Sequence, residues 1–377
     1  MNKTVKFLSL VIAFTAIIST CFYSGANRTA AFASGGVKSS SIVIESTTKR
    51  ILSSQNHNAR LPMASTTKIM TALVVLENAK LDETVEINSS AVGVEGSSIY
   101  LRNGEKLTVR ELLYGLMLRS GNDSAVALAI YVGGSVSGFV RLMNEKAEYL
   151  GLKNTNFTNP HGLHDGEHYT SAYDLAIISA EAMRNPEFAK IVSTKSVYIG
   201  ENESRRYLVN KNKILSGYEG GNGIKTGYTK NAGRCLVSAS LRNGMQIICV
   251  VLNHPDMWQD SVNLMNEAHS AYKMVKLLDI NYEISEQNVV AGVKKTCVVK
   301  LARDVYYPLR EDEIRNLTYE TVIDKELVAP VKSGEECGFV NVSLENHLLF
   351  SEKIYIMENI DKKSIFDWSY WQIYENQ

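Results

Sequence analysis

Ser65 and Lys68 stand three residues apart in Ala64-Ser65-Thr66-Thr67-Lys68-Ile69-Met70, a spacing that lays one side chain over the other on a helix face. A serine hydroxyl is a poor nucleophile until a neighbour takes its proton, and no Ser-His-Asp order is evident in the chain to do so. Lys68 can take it if neutral, a state that burial or a second nearby cation brings about. Lys225, in Lys225-Thr226-Gly227, would supply that cation. It would also fix a substrate carboxylate together with the Thr226 hydroxyl, while Gly227 lets the backbone approach with no side chain in the way. Between these motifs, Ser120 of Ser120-Gly121-Asn122 can relay a proton to a leaving amine and Asn122 can hold the acyl-side amide. Alone, an S-x-x-K or a K-T-G is an ordinary helix start or turn. The three motifs in this order point to acyl transfer through an activated serine.

Elements must bring these residues together. Residues 39–52 alternate as a strand, with Ser41, Val43 and Glu45 on one side, Ile42, Ile44 and Ser46 on the other, and a turn at Thr47-Thr48-Lys49; such a strand is expected at a sheet edge. Ser65 is expected to cap a helix running to about Ala79, with Ile69, Met70, Leu73, Val74 and Leu76 on its apolar face. Residues 110–117 and 123–132 read as helices flanking the polar loop that carries Ser120, and residues 170–184 as another, ended before Pro186. Two alternating segments around Asn243-Gly244 predict a β-hairpin, so Lys225-Thr226-Gly227 should lie on, or enter, a strand of the same antiparallel sheet. Residues from Met257 to about Leu278 are expected as one long closing helix. Beyond Asn281 only short β segments follow, at 296–301, 305–309, 317–323, 339–344 and 348–356, which predicts a small β-sandwich. The expected organisation is a catalytic domain over 34–278, the sandwich over 282–360, and an aromatic tail over 361–377. That tail is acidic as often as basic, so it is expected to pack on the sandwich, with peripheral membrane contact as the alternative.

Lys3 and Lys6 precede an apolar run from Phe7 to about Cys21, and Ala31-Phe32-Ala33 offers the small residues a signal peptidase reads, so residues 1–33 are expected to be a cleaved export signal. Roughly fifteen apolar residues fall short of the ~20 that span a bilayer. Thr20 disfavours lipid attachment at Cys21. The 40 basic and 40 acidic residues balance, which leaves no bulk charge for nucleic acid or an anionic surface. About 340 mature residues exceed one comfortable core, hence two domains. Cys235, Cys249, Cys297 and Cys337 are too sparse for a disulfide framework and too scattered for zinc; they are expected to be free or joined by at most one bridge, for which Cys297 to Cys337 is the favoured pair. His161-x-x-His164-Asp165 with His168 invites a metal, but Pro160, Gly162 and Gly166 break the helix that would present two histidines together. No metal or other cofactor is expected. Glu181-x-x-x-Asn185 imitates a deacylating glutamate loop, yet it falls within an amphipathic helix.

The segments Ala64 to Ala72, Ser120-Gly121-Asn122-Asp123 and Gly223-Ile224-Lys225-Thr226-Gly227-Tyr228-Thr229 resemble the low-molecular-mass penicillin-binding proteins that are D-alanyl-D-alanine carboxypeptidases, peptidase family S11. Asn159-Pro160-His161-Gly162-Leu163 and Ser171-Ala172-Tyr173-Asp174-Leu175-Ala176 extend the likeness. It implies an α/β transpeptidase-like domain, an antiparallel sheet flanked by helices, followed by the all-β sandwich. It implies removal of the terminal D-alanine from peptidoglycan stem pentapeptides through an acyl-serine, in the cell envelope, with β-lactams as covalent inhibitors. Ser65, Lys68, Ser120 and Asn122 would be catalytic, and Lys225, Thr226, Gly227, Tyr228 and Arg234 would bind substrate, with the N–H groups of Ser65 and Tyr228 as oxyanion hole. Two positions depart. Asn222-Gly223 stands where many relatives carry Asp two residues before the lysine, and His254 to Asp260 lacks the arginine that many place after the hairpin, so carboxylate binding rests on Lys225, Thr226 and Arg234. Ala232-Gly233-Arg234 with Trp258-x-Asp260 is similar to a sporulation-associated branch. A β-lactamase-like or esterase activity on the same scaffold is the alternative, recognisable by fast penicillin turnover. A non-catalytic muropeptide-binding protein is disfavoured by the intact motifs.

Overall fold

The computed structural model describes residues 39–364 except 283, 285, 324 and 325. The expected export signal and the aromatic residues of the tail lie outside the described residues.

A five-stranded antiparallel sheet runs in the spatial order Ile51–Gln55, Ser40–Glu45, Met245–Leu252, Gly233–Arg242, Gly221–Thr229. Its hairpin closes at Asn243 and Gly244, whose φ values of 49° and 77° are those of the turn that matches strand twist. Because side chains alternate, each strand serves two cores. Ile42, Ile44, Val237, Ala239, Ile248 and Val250 face a large helical layer, while Val43, Leu236, Ile247, Cys249 and Val251 face the other side. Helix α1 (Lys68–Asn78), α2 (Val109–Leu118), α3 (Asn122–Gly133), α4 (Val136–Tyr149), α5 (Ala172–Met183) and α6 (Pro186–Ser193) build the first layer; after a one-turn α7 (Ile214–Gly217), α8 (Met257–Ala271) covers the second.

The expected edge strand is not at the edge. Ser40–Glu45 is buried throughout and Ile51–Gln55 lies outside it. With helices on both faces, a polar residue no longer marks a solvent side: Glu45 spends its carboxylate on the turn, accepting from the N–H groups of Thr47 at 3.0 Å and Thr48 at 2.6 Å. Ser65 does not cap α1 either. Residues Ala64–Thr67 form a 3-10 turn without a side-chain cap, and Thr66 and Thr67 donate their hydroxyls back to the carbonyls of Met63 and Ala64. Pro186, read as a stop, is also a start, because it occupies the first turn of α6 behind the Asn185 cap.

The closing helix is shorter than expected. Helix α8 ends at Ala271, Tyr272 is extended, and Lys273–Leu278 is a strand paired antiparallel with Val305–Leu309. The expected boundary at 278 therefore leaves on the catalytic side a strand that pairs with the C-terminal region. That region is all β. A four-stranded sheet (Val299–Leu301, His347–Ile356, Glu336–Leu344, Leu317–Ile323) and a three-stranded one (Thr296–Cys297, Gln287–Val290, Leu327–Val328) enclose Val340, Val342, Ile354 and Ile356. The segment expected over 296–301 is interrupted at Val298. Cys297 and Cys337 sit in this core as thiols, the unbridged one of the two states expected. Arg50 ties the two regions together. Its guanidinium donates to Pro308 O at 2.5 Å and to Glu313 at 2.6 Å, and it lies 5.2 and 5.3 Å from the ring centres of Tyr272 and Tyr307.

Candidate active site

The turn that carries Ser65 lies against the edge strand Gly221–Thr229. A Cβ added to Gly227 would sit 3.1 Å from both Met63 O and Ser65 N, so glycine is what lets that strand come up to the Ser65 turn. A second loop presses from the other direction. Gly162, at φ 90°, would place a Cβ 1.9 Å from Ala64 O, and no side chain fits there. Asn159 shapes that loop by accepting from Gly162 N at 2.7 Å.

Lys68 is fully buried at the start of α1. Its Nζ lies 3.1 Å from Ser65 Oγ, 2.7 Å from Asn122 Oδ1 and 2.6 Å from the backbone oxygen of His161. The Asn122 amide is oriented by its own Nδ2, which donates to Glu95 O, so the atom facing the lysine is the oxygen. Two of the three partners can only accept. A neutral amine has two N–H bonds for those acceptors, and its lone pair is left pointing to the Ser65 hydroxyl. Burial, and then the Lys225 charge, hold the Lys68 pKa well below its ordinary value, against an opposing pull from Asp123. Lys225 is buried too, and burial followed by Lys211 brings its pKa to about 7.

Ser120 is buried at φ 64° in the loop between α2 and α3. Asn122 N donates to Ser97 O at 2.7 Å. Asp123 is committed to the same loop pair: it accepts from Ser98 Oγ at 2.5 Å and from the N–H groups of Ile99, Leu101 and Ser124 at 3.0, 3.2 and 2.8 Å. Ser65, Lys68 and Asn122 are thus in direct contact, with Lys225 buried beside them.

Thr226, Tyr228 and Arg234 are differently placed. Tyr228 pairs with Arg234 and Thr226 with Leu236 across the strands, so these side chains share the face opposite to Lys225 and Gly227. Tyr228 and Arg234 are exposed there.

Three participants were not assigned to the site from the sequence, although His161 and His168 stood out there as a possible metal pattern. His161 contributes a backbone carbonyl, which any residue type could supply. Lys211 acts on Lys68 and Lys225 through its charge, and its N–H reaches Leu118 O at 3.3 Å, just before Ser120. His168 braces the serine turn. Its Nδ1 accepts from Thr158 N at 3.0 Å, which leaves Nε2–H to donate to Thr67 Oγ1 at 2.8 Å. Burial first, then the Lys68 charge, pushes His161 down to about 3; His168, again mainly by burial, is at about 4, so both rings are neutral in the working range. Among the described residues, no group of three or more His, Cys, Asp or Glu side chains is placed to hold a metal.

A cleft of about 680 Å³ lies away from Ser65, against the Asn243-Gly244 turn. Proton-transfer geometry, not cavity size, locates the chemistry here: an open strand edge beside the serine suits an extended peptide.

Residues 29–256 match the D-alanyl-D-alanine carboxypeptidase family, peptidase S11, and residues 272–362 match the C-terminal domain of penicillin-binding protein 5. The chain is 33% identical over 333 residues to the D-alanyl-D-alanine carboxypeptidase DacF of Bacillus subtilis, covering 86% of each. Penicillin-binding protein 5 from Haemophilus influenzae superposes with a TM-score of 0.74 at 31% identity, covering 87% of this chain and 98% of that one. A D-alanyl-D-alanine carboxypeptidase from Mycobacterium tuberculosis superposes with a TM-score of 0.59 at 32% identity, covering 61% of this chain and 90% of that one.

Proposed function

This chain belongs to the D-alanyl-D-alanine carboxypeptidase family, and on that premise we propose how its residues divide the reaction. It is a serine-type carboxypeptidase, a penicillin-binding hydrolase that removes the terminal D-alanine from peptidoglycan stem peptides in the cell envelope. In our assignment, Ser65 Oγ attacks the carbonyl carbon of the penultimate D-alanine while its proton passes to the Lys68 lone pair. The oxyanion forms against the N–H groups of Ser65 and Tyr228, where fixed donors lower the barrier most. Collapse breaks the C–N bond, and the proton returns from Lys68 through Ser120 to the leaving amine. Water then attacks the ester along the same proton path. Asn122 orients Lys68 and the acyl-side amide, and Lys225 supplies the charge that holds the substrate carboxylate, while Thr226 and Arg234, expected to join it, present their side chains on the other face of the strand pair.

The observation that carries this assignment is the environment of Lys68 Nζ: fully buried, with two acceptor-only partners and the Ser65 hydroxyl as its third. Ser65→Ala should leave thermal unfolding unchanged yet abolish both D-alanine release from a pentapeptide and covalent labelling by a fluorescent penicillin. Labelling that persists would remove Ser65 from the role.

Four finer readings belong to the same proposal. Export rests on the charged start, apolar run and small-residue site before Ala33. A sporulation-associated role rests on Ala232-Gly233-Arg234 and Trp258-x-Asp260. The catalytic domain ends near Tyr272, and the β domain begins with Lys273–Leu278, a division supported by the strand pairing of that segment. The aromatic tail is assigned to packing on the β domain, since its polar positions are acidic as often as basic, with peripheral membrane contact as the alternative use.

A further inference from the structure

The cleft of about 680 Å³ is bounded on one side by the Asn243-Gly244 turn and on the other by Tyr306, Tyr307, Phe350 and Ser351 of the β domain, a size within the range of small-ligand sites. Asn243 lies about eight residues along its strand from Cys235, the partner of Gly227 beside Ser65, which is roughly 26 Å. An extended five-residue peptide reaches about 17 Å, short of that span, so the branch processed at Ser65 hangs from a sugar of the same polymer that lies beyond the cleft, toward the edge strand.

The lining describes its occupant. The charges around the cleft are already matched: Arg303 pairs with Glu352 at 3.1 Å, Lys276 with Asp304 at 2.8 Å, and Glu45 is satisfied by its own turn. An ionic ligand would have to displace those pairs. What remains is aromatic surface beside hydrogen-bonding groups. Tyr306 is 47% exposed, Tyr307 and Phe350 form a tilted pair 5.6 Å apart, and Asn243 and Ser351 flank them. Flat apolar faces rimmed by hydroxyl and amide groups are the complement of a pyranose ring.

We propose that this interdomain cleft binds the uncharged glycan strand of the substrate, holding N-acetylated sugar rings against Tyr306 while the stem peptide is processed at Ser65. The proposal rests on the carboxypeptidase reading above. Its chemical class is a neutral β-linked N-acetylhexosamine oligomer.

The test uses the full chain and a tetramer of β-1,4-linked N-acetylglucosamine as probe, followed by calorimetric titration. Wild type should bind the probe saturably. Tyr306→Ala should weaken binding about fivefold, the scale of one lost aromatic contact, and Tyr306→Phe should restore it. D-alanine release from a soluble pentapeptide should be the same in all three proteins, whereas release from intact sacculi should fall about fivefold in Tyr306→Ala alone. No saturable binding, equal binding by wild type and Tyr306→Ala, or displacement of the probe by a glycan-free stem peptide would each overturn the proposal. Failure of the wild type on the soluble pentapeptide would instead defeat the assignment of the reaction and leave the glycan result standing.

Discussion

The amine of Lys68 meets two oxygens that cannot donate and one hydroxyl that can, and that inventory makes a proton acceptor of a side chain that is ordinarily a cation. Lys225 performs a different task with the same side-chain type. Its pKa of about 7, set mainly by burial, means that the free enzyme carries the charge proposed to bind the carboxylate below about pH 7 and sheds it above. KM for the pentapeptide should therefore rise as pH climbs from about 7 to about 9, while Lys225→Arg, whose guanidinium stays protonated, should show a flat KM across that range. A wild-type KM that does not move would separate Lys225 from carboxylate binding. At this scale the sequence was informative where chemistry resides in side-chain type: Ser65, Lys68, Asn122 and Lys225 all converge. It was silent where a backbone atom acts, as with His161 O, or where a charge works from a loop without a motif, as with Lys211.

Among the elements, the close approach of the edge strand to the serine turn is the most exacting contact. Gly227→Ala forces the neighbours at 3.1 Å to give by a few tenths of an ångström, and Ser65 N, one of the proposed oxyanion donors, is among them. Penicillin acylation should fall by about a hundredfold, the cost of a misplaced oxyanion donor, with circular dichroism unchanged; acylation at the wild-type rate would show that the strand does not set this geometry. The hairpin at Asn243-Gly244 was legible because its turn residues are the ones that accept positive φ. Helix α5 was legible because Ser171 caps it, accepting from Asp174 N at 3.1 Å. The strand Ser40–Glu45 was misplaced because alternation reports polarity, and polarity was taken for a solvent face. Lys273–Leu278 was absorbed into a helix because Met274, Val275, Leu277 and Leu278 satisfy a helical stripe locally; only Val305–Leu309, about thirty residues on, selects the extended form.

For the molecule as a whole, Arg50 is the joint. Its side chain is 14% exposed and Glu313 is 8% exposed, so removing the guanidinium leaves a buried carboxylate that keeps the Arg310 N–H at 2.8 Å and the longer 3.3 Å pairing to the Arg310 guanidinium but loses its closest cation. Arg50→Ala should cost about 3 kcal/mol and split calorimetric unfolding into two transitions, with activity on a soluble pentapeptide kept within about twofold at 25 °C. A single unshifted transition would show that the regions are held by other contacts. The two-domain organisation and the all-β character of the second domain were readable from the loss of helical periodicity after Asn281. The joint was not, since Arg50 and Glu313 are distant in the chain and ordinary in type.

Lys68 has no surface open to bulk water. In the proposed assignment, a proton delivered to it during attack on a penicillin is shielded from the buffer and returns to the nitrogen of the opened ring. Acylation then leaves the acidity of the surrounding liquid unaltered, and an acid equivalent is released only when the ester is cut. The two half-reactions differ in stoichiometry, and a weakly buffered dye solution would register one of them and miss the other.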